Sequence, residues 1–121
     1  MQEIKEIDIL EIKKSKFWCY AFDVKTAEDV GFYFDALKKL HKKATHIVYA
    51  YILSSPHLEK AVDDGEPSGT AGRPILNVLQ KRGEKDKVIF VVRYFGGIKL
   101  GAGGLVRAYI QSASRSLSSE K

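Results

Sequence analysis

The stretch Arg93-Tyr94-Phe95-Gly96-Gly97-Ile98-Lys99-Leu100-Gly101-Ala102-Gly103-Gly104-Leu105-Val106-Arg107 decides how this 121-residue chain is read. It follows Val88-Ile89-Phe90-Val91-Val92, an unbroken apolar run of the kind buried on both faces of a sheet, which predicts a central strand. Beyond it the spacing turns helical. A last helix is expected from about Ala102 to Leu117, burying Leu105, Tyr109, Ala113 and Leu117 and exposing Arg107, Gln111 and Arg115. Five of the ten glycines lie in the stretch. Strand, glycine loop and helix start together suggest an anion site, because the first helical N–H groups lack intrahelical acceptors and carry partial positive charge. Arg93, Lys99 and Arg107 add full charges. A tight turn, in which glycine serves only close packing, explains the same residues. Spacing excludes two phosphate loops. Gly96 and Gly101 are separated as in a Walker A loop, but Ala102-Gly103 follows in place of Lys and Ser/Thr. Gly101-Ala102-Gly103-Gly104-Leu105-Val106 ends in Val where the dinucleotide fingerprint needs Gly or Ala.

Working outward, 45% apolar and 29% charged residues fit one globular domain spanning residues 1–121. The net charge of +5 and pI near 9.3 permit contact with nucleic acid or another anionic surface without requiring it. Cys19 is the sole cysteine. It sits in an apolar strand, so no internal disulfide, no disulfide-linked partner and no cysteine-rich zinc site is expected. The N-terminus carries no apolar signal region and no run reaches membrane-spanning length, so a cytoplasmic protein without a membrane partner is expected.

Glu3 to Ile12 reads as an edge strand, Lys13 to Lys16 as a turn, and Phe17 to Val24 as an interior strand of the same hairpin. On that strand Trp18, Tyr20, Phe22 and Val24 share one face, and Phe17, Cys19 and Ala21 the other. Thr26 and Asp29 resemble a capping box for a helix running to about His41, with Ala27, Val30, Phe34, Leu37 and His41 as its stripe. His46 to Leu53 is a strand, 54–57 a turn and Leu58 to Val62 a short return strand. Ser68 or Thr70 is placed to cap a helix that carries Pro74 in its first turn and ends with Gly83 at C′. Within the preceding loop Asp63, Asp64 and Glu66 form a carboxylate cluster. They are either hard oxygen ligands for a cation such as Mg²⁺ or exposed loop charges.

Asp63-Asp64-Gly65-Glu66-Pro67-Ser68-Gly69-Thr70-Ala71-Gly72-Arg73-Pro74-Ile75-Leu76 followed by the glycine stretch resembles the UPF0029 family, the IMPACT N-terminal domain. Lys14-Ser15-Lys16-Phe17 and Ala44-Thr45-His46 resemble it too, so the likeness spans nearly the whole chain. The resemblance implies a two-layer α/β (α+β) fold, a mixed sheet with helices on one face, like a ribosomal-protein domain 2-like fold and domain IV of elongation factor G. It also implies a link to translation. Eukaryotic members resemble regulators that restrain a starvation-responsive initiation-factor kinase by competing for its activator, and bacterial members usually continue into a ferredoxin-like domain. This chain departs from the pattern at Ile47-Val48, where the family has Asn-Cys. It also lacks a proline within His41-Lys42-Lys43-Ala44, ends soon after the last helix and lacks the eukaryotic RWD domain.

Three function classes remain open. A non-catalytic module would set Arg73, Arg93, Lys99, Gly101, Gly103, Gly104 and Arg107 against phosphates of RNA or the ribosome, with Tyr94 and Phe95 near a base. A protein-interaction regulator would turn the same surface to an acidic partner. An enzyme for a phosphorylated small molecule would hold Mg²⁺ on the acidic loop. No nucleophile–base pair is visible, since His41, His46 and His57 are scattered, so no catalytic residue is assigned and no cofactor other than Mg²⁺ is expected. RNA binding ranks first.

Overall fold

The computed structural model describes residues 8–118. The apolar run is β5, Lys87–Tyr94, and Val88 to Val92 are fully buried. β5 lies between β2 (Ser15–Asp23) and β3 (His46–Ser54), while β1 (Asp8–Ile12) and β4 (His57–Val62) form the edges. The order is β1-β2-β5-β3-β4 and every neighbouring pair is antiparallel. Alternation along the strands divides two cores. Phe17, Ala21, Val48, Ala50, Ile89 and Val91 face α2 (Gly72–Lys81) and α3 (Gly101–Ser118). Tyr20, Phe22, Ile47, Tyr51, Phe90 and Val92 face α1 (Ala27–Leu40).

The α+β class expected from the resemblance stands, and two of its details are corrected. The sheet is antiparallel rather than mixed, and the helices cover both faces rather than one. The first difference follows from the strand order. β2 and β3 run in the same direction with α1 between them in sequence, as do β4 and β5 with α2 between them. In each case one antiparallel strand separates the two, so no parallel pair is hydrogen-bonded. The second difference reflects the crossovers themselves, which are of opposite hand and so place α1 and α2 on opposite faces.

The β1–β2 turn is tighter than expected. Lys13 and Lys14 alone make it, with φ of 48° and 67°, and β2 begins at Ser15. The Glu3–Ile7 part of the expected first strand lies outside the described residues. The Thr26–Asp29 capping box is formed in both directions, with Asp29 N–H to Thr26 Oγ1 at 3.1 Å and Thr26 N–H to the Asp29 carboxylate at 3.2 Å. The α1 stripe differs by one step. Ala27 is exposed, Phe34 half-buried, and Tyr33 is the buried ring, stacked on Phe22 at 4.0 Å.

At α2 the capping expectation is corrected. The N-cap is Ala71, without a side-chain bond of its own, and the acceptor comes from Asp63. The Asp63 carboxylate takes N–H bonds from Gly69 (2.9 Å), Ala71 (3.2 Å) and Gly72 (2.8 Å). Thr70 Oγ1 instead donates to the Pro67 carbonyl at 2.6 Å. The helix ends as expected at Gly83, with the paired bonds Gly83 N–H to Gln80 O and Glu84 N–H to Leu79 O that mark a Schellman turn.

Candidate functional site

The C-terminal end of β5 opens into a cleft of about 410 Å³. Its walls come from Thr45 and His46 at the entry to β3, Glu66 and Pro67 of the acidic loop, Phe95 and Lys99 of the glycine loop, and the start of α3. Pro67, Phe95, Leu100, Ala102 and Leu105 make most of that wall apolar.

The floor is a buried polar network. Glu66 is 7% exposed and Arg93 5%. Arg93 Nη1 donates to Glu66 Oε2 at 2.7 Å, and the Tyr109 hydroxyl donates to the same oxygen at 2.5 Å. Burial, and then the hydrogen bond to Glu66, push the Tyr109 phenol far above its usual range, so it remains a proton donor. Arg93 Nη2 donates to Ser15 Oγ at 3.2 Å, and that hydroxyl also accepts the Gly96 N–H at 3.3 Å. Four elements are thereby tied at one point: β2 through Ser15, the acidic loop through Glu66, β5 through Arg93 and α3 through Tyr109. A buried cation and carboxylate are tolerable only when paired and hydrogen-bonded in this way.

His46 completes the wall. Its Nδ1 lies 2.8 Å from the Asp64 carbonyl, an acceptor, so Nδ1 carries the proton. Its Nε2 lies 3.4 Å from Glu66 Oε1. The Asp64 carboxylate accepts the Ile47 N–H at 2.7 Å. Asp63, Asp64 and Glu66 therefore face a helix start, a strand N–H and a guanidinium respectively. They do not converge, and among the described residues no three His, Cys, Asp or Glu side chains are grouped to hold a metal ion.

The glycine loop divides by position. A Cβ on Gly96 would lie 1.9 Å from the Lys14 carbonyl oxygen, so the close approach of loop to hairpin requires glycine there. A Cβ on Gly103, in the first turn of α3, would meet nothing nearer than Arg107 Nη1 at 3.4 Å. Packing explains the first glycine and not the second. Phe95 is 47% exposed and forms a ridge. Beyond the ridge lies a second cleft of about 370 Å³, lined by Lys14, Lys16, Trp18, Tyr94 and Phe95. Tyr94 is held from behind by His41, whose Nδ1 bonds its hydroxyl and whose Nε2 lies 2.8 Å from the Tyr20 hydroxyl.

The expected phosphate contacts separate accordingly. Lys99 and Gly101 line the cleft, with Gly103 and Gly104 in the same first turn of α3. Arg107 is exposed one turn further on, and Arg73 is exposed on α2, outside both clefts. Arg93 is not a surface cation, because Glu66 and Ser15 occupy its guanidinium. Ser15, Thr45, His46 and Tyr109 were not singled out as site residues. Ser15, Thr45 and His46 fall inside the short upstream motifs that carried the resemblance, which was the available signal.

The Impact N-terminal domain family matches residues 13–117. This chain belongs to that family. It is 50% identical over 118 residues to the IMPACT family member YvyE of Bacillus subtilis (strain 168), a match covering 97% of this chain and 54% of that protein. The chain thus spans about half the length of the relative it matches. A crystal structure described as that of an hypothetical protein superposes with a TM-score of 0.88 at 36% identity, covering 92% of this chain and 55% of the other. The two-domain translational regulator Yih1 superposes at 0.62 with 22% identity, over 92% of this chain and 46% of that one, a likeness of fold. Among the described residues of this Impact domain no helix is long and apolar enough to cross a membrane.

Proposed function

We propose that this Impact domain is a non-catalytic binding module acting in translation, and that it contacts RNA through the ridge and clefts at the C-terminal end of β5. The link to translation rests on the family and on the relative described as a translational regulator. The RNA contact rests on one observation: Phe95 stands exposed between Lys14 and Lys16 on one side and Lys99 on the other. An exposed ring offers a stacking face to any base, and lysines within reach of the same strand neutralise its phosphates. The hairpin turn points the same way. Lys13 and Lys14 adopt left-handed backbone that Asn and Gly accept more readily, and such strain collects where a side chain is needed for contact.

Binding of a short single-stranded RNA, followed by fluorescence anisotropy across a salt series, tests this reading. Affinity should fall steeply with salt. Lys14→Gln, Lys16→Gln and Lys99→Gln should each flatten the slope by about 0.7, the single-strand value for one lost phosphate contact. Phe95→Ala should weaken binding by about 1–3 kcal/mol with the slope unchanged. No binding, or binding indifferent to salt, replaces RNA with a protein partner as the ligand of this surface.

A further inference from the structure

We infer that the groove between α2 and α3 is a docking surface for an acidic protein segment, which seats an apolar side chain between the two helices. The groove encloses about 470 Å³. It shares no lining residue with the two clefts at the end of β5, so the inference stands apart from the RNA reading.

Charge selects the partner. α2 and α3 carry four cations, Arg73, Lys81, Arg107 and Arg115, and no carboxylate, so this layer holds +4 of the chain's net +5. α1, on the other face of the sheet, mixes three carboxylates with two lysines. Helix stability does not account for the difference. The exposed Arg73 stands in the first turn of α2, where the helix dipole disfavours a cation, and neither α2 nor α3 has an acidic residue in its first turn. The cations gather about the groove. Lys81 and Arg82 line it. Arg73 lies one turn before Asn77 of its wall and Arg107 one turn before Ile110, so both share its face. Two carboxylates stand near this layer. Glu59 of β4 accepts from Gln80 at 2.7 Å and lies 3.2 Å from His57, and Glu84 follows the Schellman turn. Neither lines the groove. The floor decides which kind of anion fits. Pro74, Val78 and the 42% exposed Ile110 make it apolar. They offer nothing to a phosphate, and among the described residues no aromatic ring lines the groove to stack on a base. A second copy docked groove to groove would set like charges together. An amphipathic segment satisfies both halves, with its apolar side chain over Ile110 and its carboxylates toward the rim.

The test adds synthetic peptides of about 15 residues, the length at which a helix can form alone, to the isotopically labelled chain and follows its amide signals by NMR. One peptide sets leucines along one helical face among glutamates, a second scrambles the same composition, and a third replaces glutamate with glutamine. The first should shift the signals of Asn77, Gln80 and Ser114. It should bind about tenfold tighter than either control, the scale of one buried apolar side chain or a few rim charges. Ile110→Gln should weaken it about tenfold and leave RNA affinity unchanged. Lys81→Gln combined with Arg82→Gln should remove the advantage of glutamate over glutamine. All these positions are exposed, and urea midpoints confirm folding. Equal binding of the first and second peptides, or shifts confined to Phe95 and Lys99, overturns the proposal. Displacement of the peptide by a short RNA that shifts the same groove residues also overturns it, and makes the groove a nucleic-acid surface. Self-association that Ile110→Gln abolishes overturns it in favour of a second copy of the chain. Peptide binding at the groove without any RNA binding keeps this proposal and removes the RNA reading.

Discussion

Glu66 is the residue on which the site turns, because it is buried and is held by two donors from two other elements, Arg93 of β5 and Tyr109 of α3. Replacing it leaves Arg93 as an uncompensated cation in the floor of the cleft. Glu66→Gln should therefore cost about 3–5 kcal/mol, the scale for breaking a buried pair. Tyr109→Phe removes one donor and leaves the ion pair, so the loss should be smaller, about 1.5–3 kcal/mol. Urea midpoints of the two variants check the order, and a Tyr109→Phe loss equal to that of Glu66→Gln would contradict the assigned roles. None of this was legible in the chain, where Glu66 stands beside Asp63 and Asp64 and reads as their partner. Left-handed backbone at Asp64 (φ 46°) and Gly65 (φ 89°) turns successive carboxylates toward different neighbours. The true partners of Glu66 lie 27 and 43 residues away. Composition at a loop indicates that charge is present and does not say where it points.

The elements themselves were legible wherever their signals are local. The β5 run, the Thr26–Asp29 box, the face division of β2 and the Gly83 stop each depend on residues within a few positions of one another. The α2 start was legible as a need and not as a residue. Ser68 and Thr70 stand where a cap usually stands, yet the acceptor arrives from Asp63, eight and nine residues before the N–H groups it serves. A carboxylate there also meets the positive end of the helix dipole. Asp63→Ala should then lower stability by about 1–2 kcal/mol, as loss of a cap does. Ser68→Ala, at an exposed position, should stay within about 0.5 kcal/mol. Paired urea midpoints check this. A Ser68→Ala loss as large as that of Asp63→Ala would return the cap to its expected place.

Across the whole molecule, β5 carries the candidate site at one end and an acid-sensitive tie at the other. The strand has eight residues, so the two lie roughly 25 Å apart. At the far end Asp86 joins three elements. Its carboxylate accepts the Ser54 N–H (2.9 Å) and hydroxyl (2.7 Å) at the end of β3, and Lys25 before α1 lies 3.4 Å away. Its carbonyl accepts the Val24 N–H that follows β2. The Ser54 hydroxyl, then the Ser54 N–H, and to a lesser degree Lys25, hold this carboxyl below its ordinary value of 3.8. The sign follows from linkage. A carboxyl depressed in the folded state contributes stability that is fully present above its unfolded value. That stability is lost as pH falls from about 4 through the lower folded value. Asp86→Asn keeps an acceptor and removes the charge, so it should lower the thermal midpoint at pH 6. The gap to the parent protein should close as pH is lowered toward 3. Ligand affinity measured at neutral pH should be unaffected, because the substitution lies at the opposite end of the strand from Lys99 and Phe95. A gap that stays constant from pH 6 to 3 would show that Asp86 ties the far end through neutral hydrogen bonds alone. A loss of binding in a folded variant would show that the two ends of β5 are coupled.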